Sequence, residues 1–285
     1  MRRPFRSAPK NPTTSEMNEN TQMKAFFPIL LVLAFASCKK EEFSPDRTKE
    51  FSITSVSNGA TYVIQVGLPE DYNPQTQKYG AIYVLDGEEI FDHVAQNCNT
   101  ISSDNATSNI LVVGIGYGND RALDYTPSAT DEGGGGAENF MFFIKNELIP
   151  RMENEYGADT LRKSRTILGH SFGGLCAAYA FTNHNEVFEN YIVLSPSLWY
   201  DDELVLGLEQ DHRDSNKIDH QLVFLGLGEL ENSGKMLAPF QAFHERLRDH
   251  YPSMAIKRHL EPGLGHRGSE KPNIIEGLKF YFENR

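Results

Sequence analysis

A short strand-like run, Arg165 to Leu168, leads directly into Gly169-His170-Ser171-Phe172-Gly173, and a segment of helical character, Gly174 to Thr182, leaves it. A chain that passes from strand to helix within five residues has few backbone paths open to it. Ser171 is forced onto a sharp turn, and the glycines on either side supply the room, because a side chain there would strike neighbouring backbone. Such a unit buries both of its elements only where a sheet is covered by helices. The rest of the chain supplies that sheet. Ala81–Leu85, Ile110–Ile115, Thr166–Leu168, Tyr191–Leu194 and Leu222–Leu227 are continuous apolar runs, as parallel strands covered on both faces must be. Between them Phe140, Phe143, Ile144, Leu148 and Met152 recur at spacings of three and four, the period of one helix face. Leu175–Phe181 and Phe240–Leu247 also read as helices. Phe51–Val56 and Thr61–Leu68 alternate apolar and polar residues around Asn58-Gly59, which predicts a hairpin. The expected fold class is α/β: a mostly parallel twisted sheet with helices on both faces and an antiparallel edge, in one domain spanning 51–285. Gly133–Gly136 reads as a flexible connection. No strand directly precedes it and no Gly-Lys-Ser/Thr follows, so it is not a phosphate-binding loop.

The N-terminal segment does not share this patterning. Met1–Gln22 is polar and aperiodic, and Met23-Lys24 opens an apolar run, Ala25–Ala36, that ends at Ser37-Cys38. A basic start, an apolar stretch and small residues before a cleavage point are the parts of a secretory signal. The run is shorter than the roughly 20 residues needed to span a bilayer. The expectation is a leader over 1–37, with translation starting at Met23. Phe35-Ala36-Ser37-Cys38 resembles the lipobox of bacterial lipoproteins, which implies a lipid anchor on Cys38 and a place in the cell envelope. A plain signal peptide is the alternative. Residues 38–50, with Lys39-Lys40-Glu41-Glu42 and Pro45, are expected to be a tether.

The 285 residues suit one α/β domain plus a leader. The formal net charge is −12. Removing 1–37 leaves 22 Lys and Arg against 37 Asp and Glu, a net of −15. Nucleic acid is therefore excluded as an expected partner, since phosphate binding needs clustered bases. Beyond Cys38 only Cys98 and Cys176 remain. Two cysteines in apparent helices make no disulfide framework and read as buried thiols.

A serine hydroxyl needs a base to attack a carbonyl, and the base needs an acid to orient it. On a strand–turn–helix scaffold of this kind the chain order is serine, acid, histidine. Nine histidines are present. His93 precedes the turn, His170 lies within it with its side chain expected to point away from any cleft, and His184, His212 and His220 precede the expected acid. His244 and His250 belong to a helix, and His259 to the last strand. His266 sits in Pro262-Gly263-Leu264-Gly265-His266-Arg267-Gly268, a glycine-rich loop able to fold back on the sheet edge, and is the expected base. The acid belongs on the loop after Leu222–Leu227, where Glu229 and Glu231 both qualify. Glu231, past the turn, is better placed. Glu229, or a serine–histidine pair without an acid, are the alternatives. Two backbone N–H groups would hold a tetrahedral oxyanion: that of Phe172, after the nucleophile, and that of Glu88, after Leu85-Asp86-Gly87. No metal-ligand set is visible, and there is no His-Glu-x-x-His.

Tyr83-Val84-Leu85-Asp86-Gly87, Arg121–Pro127, Gly169–Leu175 and Ser195-Pro196-Ser197-Leu198-Trp199 occur in that order. Together they resemble the putative esterase family, which includes enterobactin- and salmochelin-type siderophore esterases and esterase D-like hydrolases. The resemblance covers nearly all of 51–282. It implies an α/β-hydrolase fold, hydrolysis of carboxylic esters through an acyl-enzyme, and no cofactor. It carries Ser171 and His266 over as catalytic residues, leaves the acid open, and matches Arg121 and Trp199 to positions lining the substrate cleft, with a loop salt bridge for Arg121 and a packing role for Trp199 as the alternatives. A siderophore ester fits the resemblance, and an acylated carbohydrate ester fits a protein tethered in the envelope. Two other readings are a binding lipoprotein that keeps this fold without turnover, which the serine, acid and histidine in order argue against, and an acyltransferase using the same residues. A binding lipoprotein on this fold would not react with a fluorophosphonate, and an acyltransferase would pass the acyl group to an added alcohol.

Overall fold

The computed structural model describes residues 43–105, 109–118, 120–216, 220–232 and 235–285. The fold opens with the expected hairpin. β1 (Thr48–Thr54) and β2 (Thr61–Gly67) pair antiparallel, with Thr54 opposite Thr61. β3 (Gly80–Val84) leads into α1 (Gly87–Asp104), and β4 (Ile110–Ile115) leads towards α2 (Arg121–Tyr125). Two short strands, β5 (Ala129–Thr130) and β6 (Gly133–Gly134), pair with each other. α3 (Ala137–Phe143) runs through a π turn (Ile144–Leu148) into α4 (Ile149–Glu155). The remaining order is β7 (Arg165–His170), α5 (Phe172–Asn183), β8 (Asn190–Leu194), α6 (Tyr200–Asn216), β9 (Leu222–Gly228), α7 (Leu237–His250), β10 (Ala255–Glu261) and α8 (Glu270–Asn284).

Eight strands form one sheet in the order β1-β2-β4-β3-β7-β8-β9-β10. It is antiparallel across β1, β2 and β4 and parallel from β4 onward. The alternation of strand side chains divides the core into two layers. Ile82, Val84, Leu168, Ile192 and Phe224 pack with residues of α1 and α8 on one face. Tyr83, Ile167, Tyr191, Val193 and Val223 pack with α3 to α7 on the other. Both layers are closed to solvent, which explains why the central strands carry no polar alternation. The π turn fits one extra residue into the helix, and Phe140, Phe143, Ile144, Leu148 and Met152 all stay buried through it.

Two expectations are corrected. Phe43 is 4% exposed, lies edge-on to Phe91 at 6.4 Å, and donates its N–H to Asp92. β1 begins at Thr48, so the tether over 38–50 does not extend to residue 50: its last residues belong to the domain because Phe43 fills a gap against α1. Gly133–Gly136 is not a flexible connection. A Cβ on Gly133 would strike the Thr126 side chain and the Tyr200 hydroxyl, and Gly135, with φ +76°, donates its N–H to Thr126 Oγ1. These glycines let a tight turn lie directly on α2. The leader and Cys38 lie outside the described residues. Among the described residues no helix is long and apolar enough to cross a membrane.

Candidate active site

The parallel strands β7, β8 and β9 end at the same edge, and the site is built there. Ser171 sits between β7 and α5 with φ 60° and ψ −118°, a conformation a side chain rarely takes. Holding it costs about 1–3 kcal/mol, which the packed surroundings must supply. Its N–H donates to the Leu194 carbonyl at 3.0 Å. A Cβ on Gly169 would run into Gly173 backbone, and one on Gly174 would meet the Leu194 carbonyl. The glycines are there because α5 starts almost in contact with the strand that feeds it.

Ser171 Oγ donates to His266 Nε2 at 2.9 Å, and His266 Nδ1 donates to Glu231 Oε2 at 2.7 Å. The structure thus brings together three residues that are 95 and 35 positions apart along the chain. Glu231 ends a short 3-10 turn after β9 and is 6% exposed. Its other oxygen, Oε1, accepts from Ser195 Oγ and from the Gly228 N–H, both at 2.8 Å. Ser269 Oγ stands further off at 3.4 Å. Burial pushes the Glu231 carboxyl up, but the bonds from His266, Gly228 and Ser195 outweigh it and hold it below the usual carboxylate range. It remains ionised beside the imidazole.

Glu229, the alternative acid, does not reach His266. Its carboxylate accepts the Gly263 N–H at 2.8 Å, and the neighbouring Leu230 N–H donates to the Leu264 carbonyl. It fastens the acid loop to the histidine loop. His170 also departs from expectation. Its side chain does not point away from the cleft. Its ring packs 4.7 Å from that of His266, and Nε2 donates to the His266 carbonyl at 2.9 Å. At the end of β7 it faces the histidine loop that folds over this strand, an arrangement set by long-range folding that the motif does not reveal.

Phe172 and Glu88 are the first and second residues of α5 and α1, so neither N–H has an acceptor within its own helix. Glu88 turns its carboxylate to the Tyr117 N–H. Arg121 holds Asp86 through Nε and Nη2 at 2.5 and 2.8 Å, and Nη2 also reaches the His170 carbonyl at 3.3 Å. Burial pushes the Asp86 carboxyl above its ordinary range, and the bidentate Arg121 guanidinium pulls against that without fully offsetting it.

The cleft opens on two sides of Ser171. One cavity of about 500 Å³ is lined by Arg121, Phe172, Trp199, Leu230, Met236 and His266. The other, also about 500 Å³, is lined by charged and polar residues, among them Glu89, Tyr117, Arg267 and Glu270. Arg121 borders both, and Trp199 forms a wall of the apolar side. An ester held at Ser171 can place an aromatic or aliphatic part in one cavity and a polar part in the other. Ser195, His170 and Asp86 were not among the residues the sequence reading selected for the site. Ser195 and Asp86 lie inside the blocks that carried the family resemblance, which was the available signal. Cys98 and Cys176 are buried in α1 and α5, and burial pushes the Cys98 thiol up to about 12. No His, Cys, Asp or Glu cluster suited to a metal ion occurs among the described residues.

Comparison with known proteins adds three likenesses and one family match. The family described as Putative esterase matches residues 55–254. The chain is 28% identical to the siderophore triacetylfusarinine C esterase of Aspergillus fumigatus over 57% of its own length, and spans 60% of that protein. It is 27% identical to the ferri-bacillibactin esterase BesA of Bacillus subtilis, covering 75% of this chain and 79% of the other. Among solved structures, the BES protein from Bacillus cereus superposes with a TM-score of 0.74 at 27% identity, over 85% of this chain and 97% of that one.

Proposed function

Because the chain belongs to the putative esterase family, we propose that it cleaves its ester through an acyl-enzyme on Ser171, with His266 as base and Glu231 as the orienting acid. The protein is a serine ester hydrolase on an α/β-hydrolase fold. One observation supports the residue assignment above all others: the unbroken chain from Ser171 Oγ to His266 Nε2 at 2.9 Å and from His266 Nδ1 to Glu231 at 2.7 Å.

The chemistry follows from that chain. Ser171 Oγ attacks the ester carbonyl carbon as its proton passes to His266 Nε2. Glu231, kept ionised, stabilises the imidazolium and holds its Nδ1–H. The negative oxygen that forms on the former carbonyl is held by the Phe172 N–H and, in this proposal, by the Glu88 N–H. The tetrahedral species collapses, the alkoxide takes the proton from His266, and the alcohol leaves. Water then attacks the acyl-enzyme, giving its proton to His266, and the acid is released with Ser171 restored.

The substrate in this reading is a siderophore ester, as the names of the relatives suggest, with Arg121 and Trp199 as substrate contacts. The apolar cavity beside Phe172 and Trp199 suits an aromatic part. An acylated carbohydrate ester is the second candidate, favoured by the polar lining on the other side of Ser171. We further propose that Cys38 carries a lipid and holds the enzyme in the cell envelope. Metabolic labelling with an alkyne fatty acid tests that step, and a Cys38→Ser chain that still incorporates label overturns it. For the catalytic assignment, Ser171→Ala is expected to lose hydrolysis of a nitrophenyl ester by several orders of magnitude and to stop reacting with a fluorophosphonate, with unchanged circular dichroism. A Ser171→Ala protein that still turns over the ester at the original rate rejects it.

A further inference from the structure

We infer that His170 is a positioning residue for His266, an imidazole that pins the loop carrying the base to the strand carrying the nucleophile. The inference rests on the catalytic reading above and adds a residue to it.

The loop from Pro262 to Gly268 packs closely at one point, where the Leu264 carbonyl and the Gly265 backbone lie against Gly228, and is loosely packed at its own glycines. A Cβ on Gly263 would meet nothing within 4 Å, one on Gly265 would barely touch Leu230, and one on Gly268 would find only ordinary contacts. Three glycines in seven residues give such a loop many conformations. Its place is therefore set by the contact at Gly228 and a few directed bonds, among them the Ser269 N–H to the Gly265 carbonyl at 2.9 Å. Glu229 and Leu230 tie it to the acid loop at Gly263 and Leu264. Ser269 Oγ approaches the His266 carbonyl at 3.3 Å from the start of α8. The bond from the nucleophile's own strand comes from His170, the residue before Ser171, whose Nε2 lies 2.9 Å from that same carbonyl. Serine and base are thus coupled twice: once through Ser171 Oγ and His266 Nε2, and once through the side chain of His170 and the backbone of His266.

The bond defines the tautomer of His170. A carbonyl only accepts, so Nε2 carries the hydrogen and Nδ1 faces Glu270 Oε1 at 3.3 Å. Burial, and then the neighbouring His266, lower the His170 pKa to about 4. The ring is neutral near pH 7, and a neutral ring does not oppose the charge that forms on His266 during attack. The other groups facing this pair are Asp86 just before α1, Glu89 on α1, Arg121 on α2, Arg267 on the loop, and Glu231. Burial and the charges of Asp86 and Glu89 push the Glu270 carboxyl up.

A base displaced by about 1 Å from its nucleophile loses about 100-fold in rate. The test compares His170→Phe, which keeps the ring and removes the donor, with His170→Gln, whose amide nitrogen falls where Nε2 stood. Both are assayed beside Ser171→Ala for kcat and KM on a nitrophenyl ester, for fluorophosphonate labelling rate and for melting temperature. His170→Phe is expected to lower kcat and labelling about 10- to 100-fold with KM within about threefold, and His170→Gln to restore most of the loss. Should His170→Phe fail to fold, His170→Asn, one bond too short for the carbonyl, takes its place against Gln. Wild-type kcat in the donor-less variant, or Gln and Phe equally impaired, overturns the inference. An inactive Ser171→Ala beside such a result leaves the catalytic reading standing, whereas an active Ser171→Ala removes both.

Discussion

Glu231 spends one oxygen on His266 and the other on its own surroundings: Oε2 receives the Nδ1–H at 2.7 Å while Oε1 receives Ser195 and the Gly228 N–H at 2.8 Å each. With both oxygens bound, the carboxylate cannot rotate about its terminal bond without breaking a charge-assisted bond. The imidazole therefore meets a fixed acceptor, which sets its tautomer and turns Nε2 towards Ser171.

Exchanging this acceptor for an amide tests the assignment. In Glu231→Gln the side-chain NH₂ can face Nδ1, which favours the tautomer with hydrogen on Nε2, where it cannot accept from serine. A kcat loss of about 100- to 10,000-fold is expected. Glu229→Gln can still accept the Gly263 N–H through its carbonyl oxygen, and a loss under about tenfold is expected. Steady-state kinetics of the two variants decides between the carboxylates, and a larger loss in the Glu229 variant would reverse their roles.

Ser195→Ala removes one of the bonds that depress the Glu231 pKa. A carboxylate with a lowered folded-state pKa stabilises the fold above the ordinary Glu range, and that contribution disappears as pH falls through the folded-state value. The variant is expected to be less stable by about 1–3 kcal/mol at neutral pH, with the gap closing on acidification. Urea unfolding at neutral and acidic pH measures this, and a gap that widens towards acid contradicts it.

Asp124 gives the opposite sign. It is 4% exposed, takes a bond from Tyr62 at 2.9 Å, and burial raises its pKa to about 6. Its folded form holds a proton that the unfolded chain releases, so its favourable contribution is present at low pH and is lost as pH rises through about 6. Asp124→Asn keeps an acceptor for Tyr62 and no longer buries a charge. A gain of about 1–2 kcal/mol at about pH 8, shrinking as pH falls, is the expected result of denaturant titrations. A variant that loses stability at alkaline pH disproves the sign.

Trp199 lines the apolar cavity beside Phe172, with ring centroids 6.3 Å apart. It touches neither Ser171 nor His266 through any hydrogen bond described above. Trp199→Ala is expected to raise KM for an aromatic ester about tenfold, with kcat changed less than about threefold. Equal KM values for wild type and variant on that ester would remove Trp199 from the substrate surface.

The architecture was legible because its signals are local. Ile110–Ile115 and Leu222–Leu227 are apolar without alternation, and they became strands covered on both faces. The glycine-flanked serine identified its own turn because steric demand at Gly169 and Gly174 acts within a few residues. The Gly133–Gly136 turn was misread because the same lack of Cβ atoms that permits motion also permits close packing, and only the position of Thr126 and Tyr200 distinguishes the two. Phe43 was missed because a lone aromatic in a charged segment carries no period.

Sequence alone determined the sheet of parallel strands, its antiparallel edge and the turn on which Ser171 stands, since strand period, helix period and glycine sterics are properties of neighbouring residues. Tertiary structure alone decided that Glu231 rather than Glu229 meets His266, and that the His170 ring turns in under the base. Those outcomes depend on the direction of side chains on segments 35 and 96 residues apart, and such directions are fixed only when the strand ends come together.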